Sequence, residues 1–119
     1  MSDAHDDLRA RMASALTAAM RARDRVAVSA IRSALSAVAN AEAVPVDTVP
    51  RAGAVEAAAV GAGSADAPRR ELTPDDVRAV VEDEVAEHDR SAGHLADAGR
   101  PDDAAKVAAG ADALRALLS

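Results

Sequence analysis

Apolar residues recur at intervals of three and four positions along most of this chain. That spacing is typical of α-helices with one apolar face. It predicts helices over residues 4–21, 25–41, 74–98 and 101–118. The positions expected to face inward are Leu8, Met12, Ala15, Leu16 and Ala19, then Val28, Ile31, Leu35 and Val38, then Val77, Val80, Val81 and Val85, and finally Val107, Ala111, Leu114 and Leu118. The pattern therefore predicts an all-α protein.

Local signals mark where these helices begin and end. Asp24 is a plausible cap for the second helix, and Thr73, followed by Pro74 and Asp76, resembles a capping box at the start of the third. Gly99 is expected to end the third helix in the left-handed conformation. Helices joined by such short turns lie antiparallel, so residues 1–42 and 71–119 are each predicted to form a helical hairpin. Together the two hairpins would make a small four-helix bundle.

Residues 43–70 break the helical pattern. They contain three prolines and three glycines, at Pro45, Pro50, Pro68, Gly53, Gly61 and Gly63. Such a segment is typical of a flexible linker, although residues 54–60 could form a helical turn or two. Gly61-Ala62-Gly63-Ser64 faintly resembles a phosphate-binding loop, but the following Lys and the preceding strand are missing. The linker interpretation is therefore favoured.

Composition narrows the classes of protein that fit. The chain has no Phe, Trp, Tyr or Cys. Disulfides and thiolate metal sites are therefore excluded, and the core is expected to be thin because aromatic side chains bury the most surface. No apolar run approaches the roughly 18 residues of a membrane-spanning helix, and the acidic start lacks the features of a secretory signal. We expect a cytoplasmic protein that does not enter membranes.

Charge is distributed unevenly. Residues 71–119 carry 12 acidic and 5 basic side chains, so any nucleic-acid contact is expected in the first half of the chain. Arg21, Arg23, Arg25 and Arg32 cluster near the first turn. Such a cluster can hold phosphates, or it can be a solvated face paired with acids such as Asp24.

His88 lies on the apolar face of the third helix, with Glu84 one turn before it. An imidazole and a carboxylate at this spacing can hold a metal or move a proton. Metal sites in bundles need inward-facing acids from the other helices, and the inner stripes of those helices have none. A hydrogen-bonded structural pair is favoured. We predict no catalytic residue, no metal site and no cofactor.

Four short motifs occur in order along the chain. They are Met20-Arg21-Ala22-Arg23-Asp24-Arg25; Ile31-Arg32 with Ala37-Val38 and Asn40-Ala41-Glu42; Leu72-Thr73-Pro74-Asp75-Asp76-Val77 with Glu84-Val85; and Ala98-Gly99-Arg100 with Asp102 or Asp103 and Ala105-Lys106. In order and spacing they resemble the first helical domain of the GatB/YqeY family. The resemblance covers nearly the whole chain outside residues 43–70.

This resemblance implies an all-α bundle linked to tRNA metabolism. Its implied partners are tRNA or a tRNA-handling enzyme such as the tRNA-dependent amidotransferase. The family is often labelled carbon–nitrogen ligase with glutamine as amide donor, but other domains of the amidotransferase carry that chemistry. Relatives continue past the position of Leu118 into a second helical domain, so we expect this chain to correspond to the first domain alone. It also departs from the family at His88-Asp89, where a basic pair is common.

The sequence thus predicts a non-catalytic, YqeY-like binding module. Its expected nucleic-acid contacts are Arg21, Arg23, Arg25, Arg32 and Arg100. The alternative is a protein-interaction scaffold that pairs with a helical partner or with itself. The absence of aromatic residues and the negative net charge of −6 favour that alternative.

Overall fold

The computed structural model of this protein describes residues 3–43 and 71–119. These residues form four helices, α1 (Asp3–Ala22), α2 (Arg25–Ala43), α3 (Pro74–Asp97) and α4 (Pro101–Leu118), and no strand occurs among them. The predicted all-α bundle is confirmed, with helix bounds within two residues of those expected. Apart from residue 43, the predicted linker lies outside the described residues, as do its helical turn at 54–60 and the loop Gly61-Ala62-Gly63-Ser64.

The four helices form a bundle in which every helix contacts the other three. An ion pair between Arg9 and Glu42 joins the start of α1 to the end of α2. The Arg11 guanidinium donates to the main-chain oxygen of Leu117 at 2.8 Å, which joins the start of α1 to the end of α4. Both short turns therefore lie at one end of the bundle, which we call the turn end. We call the opposite end, where α2 ends and α3 begins, the open end.

Both short turns close with the same hydrogen-bond pattern. After α3, the Gly99 and Arg100 amides donate to the carbonyls of Ala96 and Leu95 at 3.0 and 2.9 Å. This is a Schellman motif, and Gly99 takes the positive φ of 78° that the motif requires, as predicted. After α1, the amides of residues 23 and 24 make the equivalent bonds. Here Arg23 adopts the left-handed conformation, with φ of 59°.

The predicted helix starts are confirmed. Thr73 Oγ1 accepts from the Asp76 amide at 3.1 Å, and Asp76 Oδ2 accepts from the Thr73 amide at 2.9 Å. These two reciprocal bonds form the capping box of α3. At α2, Asp24 Oδ1 accepts from the Ala27 amide at 3.1 Å. Each cap satisfies backbone donors that the first turn of the helix leaves without partners.

The buried core is made of aliphatic side chains from all four helices. It comprises Leu8, Met12, Ala30, Ile31, Ala34, Val38, Val77, Val81, Val85, Ala111 and Leu114. Two valines predicted to face inward, Val28 and Val107, are instead half-buried beside grooves. On α2, Ala30 and Ala34 take the buried positions because small side chains allow the helices to approach closely.

Gly110, in the middle of α4, lies where α4 packs tightly against α2 and α3. A Cβ atom at this position would lie 3.2 Å from Ala30 Cβ on α2 and 3.3 Å from His88 Cδ2 on α3. Glycine inside a helix destabilises it by ~1 kcal/mol relative to alanine. The absence of a side chain at Gly110 is what allows α2, α3 and α4 to meet here.

Candidate functional site

A groove at the turn end gathers three arginines on one face. Its walls come from the end of α1, the first turn and the first two turns of α2. We call it the arginine groove, and it is lined by Met20, Arg23, Arg25, Val28, Ser29 and Arg32. Positions 25, 29 and 32 lie on one helical face because they are separated by four and three residues. Arg23 joins them from the turn.

The arginines of this groove have no counter-charge within the described residues. Arg23, Arg25 and Arg32 are exposed, and none of their guanidinium groups makes an ion pair or a hydrogen bond with another described residue. Arg78 and Arg90 on α3, by contrast, are paired with glutamates of their own helix. No acidic residue lines the groove. Its positive charge is therefore available to an anionic ligand.

The structure brings together three of the five arginines predicted as contacts. Arg21 is exposed in the last turn of α1 but does not line the groove. Arg100 lies at the other short turn, at the same end of the bundle, where its guanidinium donates to Asp103 Oδ2 at 2.7 Å. An anion approaching the turn end would meet Arg100 only in competition with this carboxylate.

A second groove adjoins the first and passes between α2, α3 and α4. We call it the His88 groove. It has a volume of about 420 Å³ and is lined by Arg25, Val26, Ser29, Ala30, His88, Lys106, Val107 and Gly110. Arg25 and Ser29 line both grooves, so the two grooves border each other at these residues. The His88 groove is also lined by basic and apolar residues, without an acid.

Glu84 and His88, predicted to form a structural pair, are joined through the main-chain oxygen of Glu84 and not through its carboxylate. His88 Nδ1 lies 2.8 Å from the main-chain oxygen of Glu84. The Glu84 carboxylate instead accepts from Ser33 Oγ of α2 at 2.8 Å. A backbone oxygen can only accept, so Nδ1 carries the proton and Nε2 of the neutral ring is left as an acceptor. Glu84 thus ties α3 to α2, while its backbone fixes the His88 ring.

An ion-pair network on the exposed side of α3 and α4 is separate from the groove linings. Two nitrogens of the Arg115 guanidinium donate to the Asp89 carboxylate at 3.0 and 3.3 Å, and one of them also donates to Asp112 at 3.1 Å. The hydrogen bond from Arg115 holds the pKa of Asp89 below its usual value. Hydrogen bonds to Asp89 and Asp112 raise the pKa of Arg115. This network joins the two helices of the second hairpin.

Two other kinds of feature are absent from the described residues. No three His, Cys, Asp or Glu side chains there come close enough to hold a metal ion. No helix in the described ranges is both long and apolar enough to cross a membrane.

The positions of two basic side chains, Lys106 and Arg11, could not be predicted from the sequence. Lys106 belongs to the second hairpin and reaches the groove only because α4 packs on α2. Arg11 belongs to α1 and places a cation on the last carbonyls of α4, where the helix dipole favours positive charge. Both depend on which helices become neighbours, and helical periodicity does not contain that information.

Comparisons with protein-family models, with curated proteins and with solved structures found no match. The chemistry of the two grooves therefore carries the functional assignment.

Proposed function

We propose that this protein is a non-catalytic binding module for RNA, with the arginine groove as its contact to the phosphate backbone. The observation that carries the proposal is a groove with three arginines, Arg23, Arg25 and Arg32, whose guanidinium groups have no partner within the described residues. None of the described residues that line this groove is acidic. Guanidinium groups bind phosphates through paired hydrogen bonds, and such contacts supply most of the affinity for nucleic acids.

The distribution of charge would orient the RNA. Most acidic side chains of the described residues lie on α3 and α4, which repel a phosphate backbone at long range. The exposed arginines of the turn end offer the opposite sign. No existing ion pair has to break before Arg25 or Arg32 meets a phosphate, because neither has a partner within the described residues.

The resemblance to the GatB/YqeY family makes tRNA the RNA of choice in this proposal. Met20, Arg23, Arg25 and Arg32 belong to the motifs that carry the resemblance, and all four line the arginine groove. We place the protein in that family and in the cytoplasm, as an accessory to a tRNA-handling enzyme.

Salt-dependent binding to tRNA tests the proposal. The variant Arg25→Gln/Arg32→Gln should bind more weakly, and the slope of log affinity against log salt should become shallower by about 1.5, since each phosphate contact contributes roughly 0.7–0.9. The control Arg78→Gln/Arg90→Gln removes the same charge from α3 and should leave the slope unchanged. Equal slopes for the two variants would rule out the arginine groove. Failure of the unmodified protein to bind tRNA at low salt would rule out the function.

One observation favours a second candidate, a protein-interaction scaffold. Met20 is 51% exposed at the edge of the arginine groove, with half-buried Val28 beside it. A helical partner or a second copy with an acidic rim would cover both. Light scattering of the purified protein separates the candidates, since a monomer that binds tRNA leaves the scaffold unsupported. Detection must use peptide absorbance because the chain has no Trp or Tyr.

A further inference from the structure

We infer that the His88 groove contacts the ribose 2′-hydroxyl of bound RNA, so that the module prefers RNA to DNA. This inference rests on the proposed function, because it concerns the same ligand at the adjoining groove. The hydroxyl would donate a hydrogen bond to His88 Nε2, while Arg25 and Lys106 hold the neighbouring phosphates.

The orientation of the His88 ring determines which ligand group Nε2 can bind. The bond from Nδ1 to the Glu84 carbonyl fixes the ring and leaves Nε2 as an acceptor. Nε2 makes no hydrogen bond with any described residue. A phosphate oxygen has no proton to offer a neutral Nε2, whereas a hydroxyl group has one. This atom therefore suits the sugar of a nucleic acid rather than its phosphate.

A ligand in the groove also needs access to Nε2 of His88. His88 faces Gly110, and a Cβ atom there would come within 3.3 Å of Cδ2 and 3.6 Å of Nε2. The missing side chain allows the ring to pack closely against α4. Nε2 still reaches solvent, because Arg11 Nε is the only side-chain nitrogen or oxygen atom of the described residues that is both buried and without a partner. His88 is half-buried and lines the groove, so a ligand lying in the groove passes next to the ring.

The two grooves share a border. Arg25 and Ser29 line both, and Lys106 adds a cation on the α4 side. Neither Arg25 nor Lys106 is paired with another described residue. A sugar–phosphate backbone that crosses the arginine groove therefore continues past Arg25 to His88 while it remains between basic side chains.

The composition of the chain limits which groups of an RNA it can contact. Without Phe, Trp or Tyr, the chain has no aromatic ring on which a base can stack. The groove instead offers the aliphatic surfaces of Val26 and Val107 beside its basic groups. Since base stacking on aromatic rings is excluded, recognition depends on contacts to phosphate and to the 2′-hydroxyl. The 2′-hydroxyl is the group by which proteins distinguish RNA from DNA.

Binding to a tRNA and to a DNA of the same sequence and hairpin structure tests the inference by fluorescence anisotropy. We expect the unmodified protein to bind the RNA about tenfold more tightly, a ratio of the size that one hydrogen bond supplies. His88→Asn keeps a polar group near Nδ1 but removes Nε2, so the ratio should fall toward one. His88→Gln places an amide oxygen near the position of Nε2 and should restore most of the preference. Circular dichroism verifies that both variants remain folded.

Four other results would overturn the inference. If the unmodified protein binds RNA and DNA equally, or if His88→Asn keeps the full preference, the His88 groove does not read the hydroxyl, although the phosphate-binding function stands. If His88→Gln behaves as His88→Asn does, an acceptor at the position of Nε2 is not what matters. Failure to bind either nucleic acid would remove the proposed function, and with it this extension.

Discussion

The two ends of the bundle differ in what fills them. Near the open end, Leu8, Met12 and Leu114 are buried to at least 96%, and charged side chains of α1 are tied to α2 and α4. Near the turn end the buried side chains are small, as at Ala19 and Ala104. The larger Val28 and Val107 are only half-buried there, and the arginines of the groove have no partner within the described residues.

This difference separates the part of the molecule that supplies stability from the part that is available for binding. Large buried side chains contribute most of the free energy of folding, because that contribution scales with the apolar area removed from water. Small side chains at the turn end contribute less, because each buries less apolar area. Both grooves lie near this end, together with arginines that have no partner within the described residues.

Truncating one side chain at each end should reveal the difference in stability. Met12→Ala removes a fully buried side chain and is expected to destabilise the fold by about 2–5 kcal/mol. Val107→Ala, beside the His88 groove, should destabilise it by about 1 kcal/mol or less, because that residue is already partly in water. Urea unfolding followed by circular dichroism measures both. Equal losses would mean that the turn end is as important for stability as the open end.

Substituting the residues that close the two turns should change the free energy of unfolding by an intermediate amount. Arg23→Gly should stabilise the protein by about 1 kcal/mol, since glycine adopts the left-handed conformation without the strain of a side chain. Gly99→Arg should destabilise it by a similar amount for the same reason. Thermal unfolding of the two variants provides the comparison.

The same Arg23→Gly variant removes one charge from the arginine groove. Its affinity for tRNA should therefore fall while its melting temperature rises. A variant that is both more stable and equally tight in binding would show that Arg23 is not a contact.

The smallest expected effect concerns acid stability and the exposed pair of Asp89 and Arg115. Because the pKa of Asp89 is lower in the folded protein, its contribution is present above its usual pKa of 3.8 and is lost as the pH falls through the folded value. Asp89→Asn should therefore flatten the decline in melting temperature below about pH 4. The control Asp75→Asn, at an exposed first-turn position of α3, keeps the pair and should retain more of the decline. If both variants decline like the unmodified protein, the pair does not contribute.

Much of this fold could be predicted because its signals are local. Thr73, Asp76 and Gly99 act on residues within a few positions, so the start and end of α3 were readable from the sequence. The rotation of α2 about its axis was not, since alanines lie on several of its faces and any of them can be buried. That ambiguity is why Val28 was expected in the core and lies at the arginine groove instead.

The candidate site was predictable to the same extent and for the same reason. Arg25 and Arg32 share a helical face and Arg23 is two residues before Arg25, so their clustering was visible in the sequence. The addition of Lys106 and His88 depends on the packing of the second hairpin against α2. The partner of the Glu84 carboxylate, Ser33, also comes from the other hairpin, so no signal in the sequence indicated that hydrogen bond.

The left-handed Arg23 has a consequence for how this protein evolves. Every arginine codon becomes a glycine codon by a single nucleotide change. One mutation is therefore always enough to place glycine at position 23 and remove the backbone strain of the first turn. A lineage that needs only a stable bundle has an easy route to Gly at this position, whereas one that needs the groove does not. The residue that closes the first turn is therefore a place where selection for folding and selection for binding act in opposite directions.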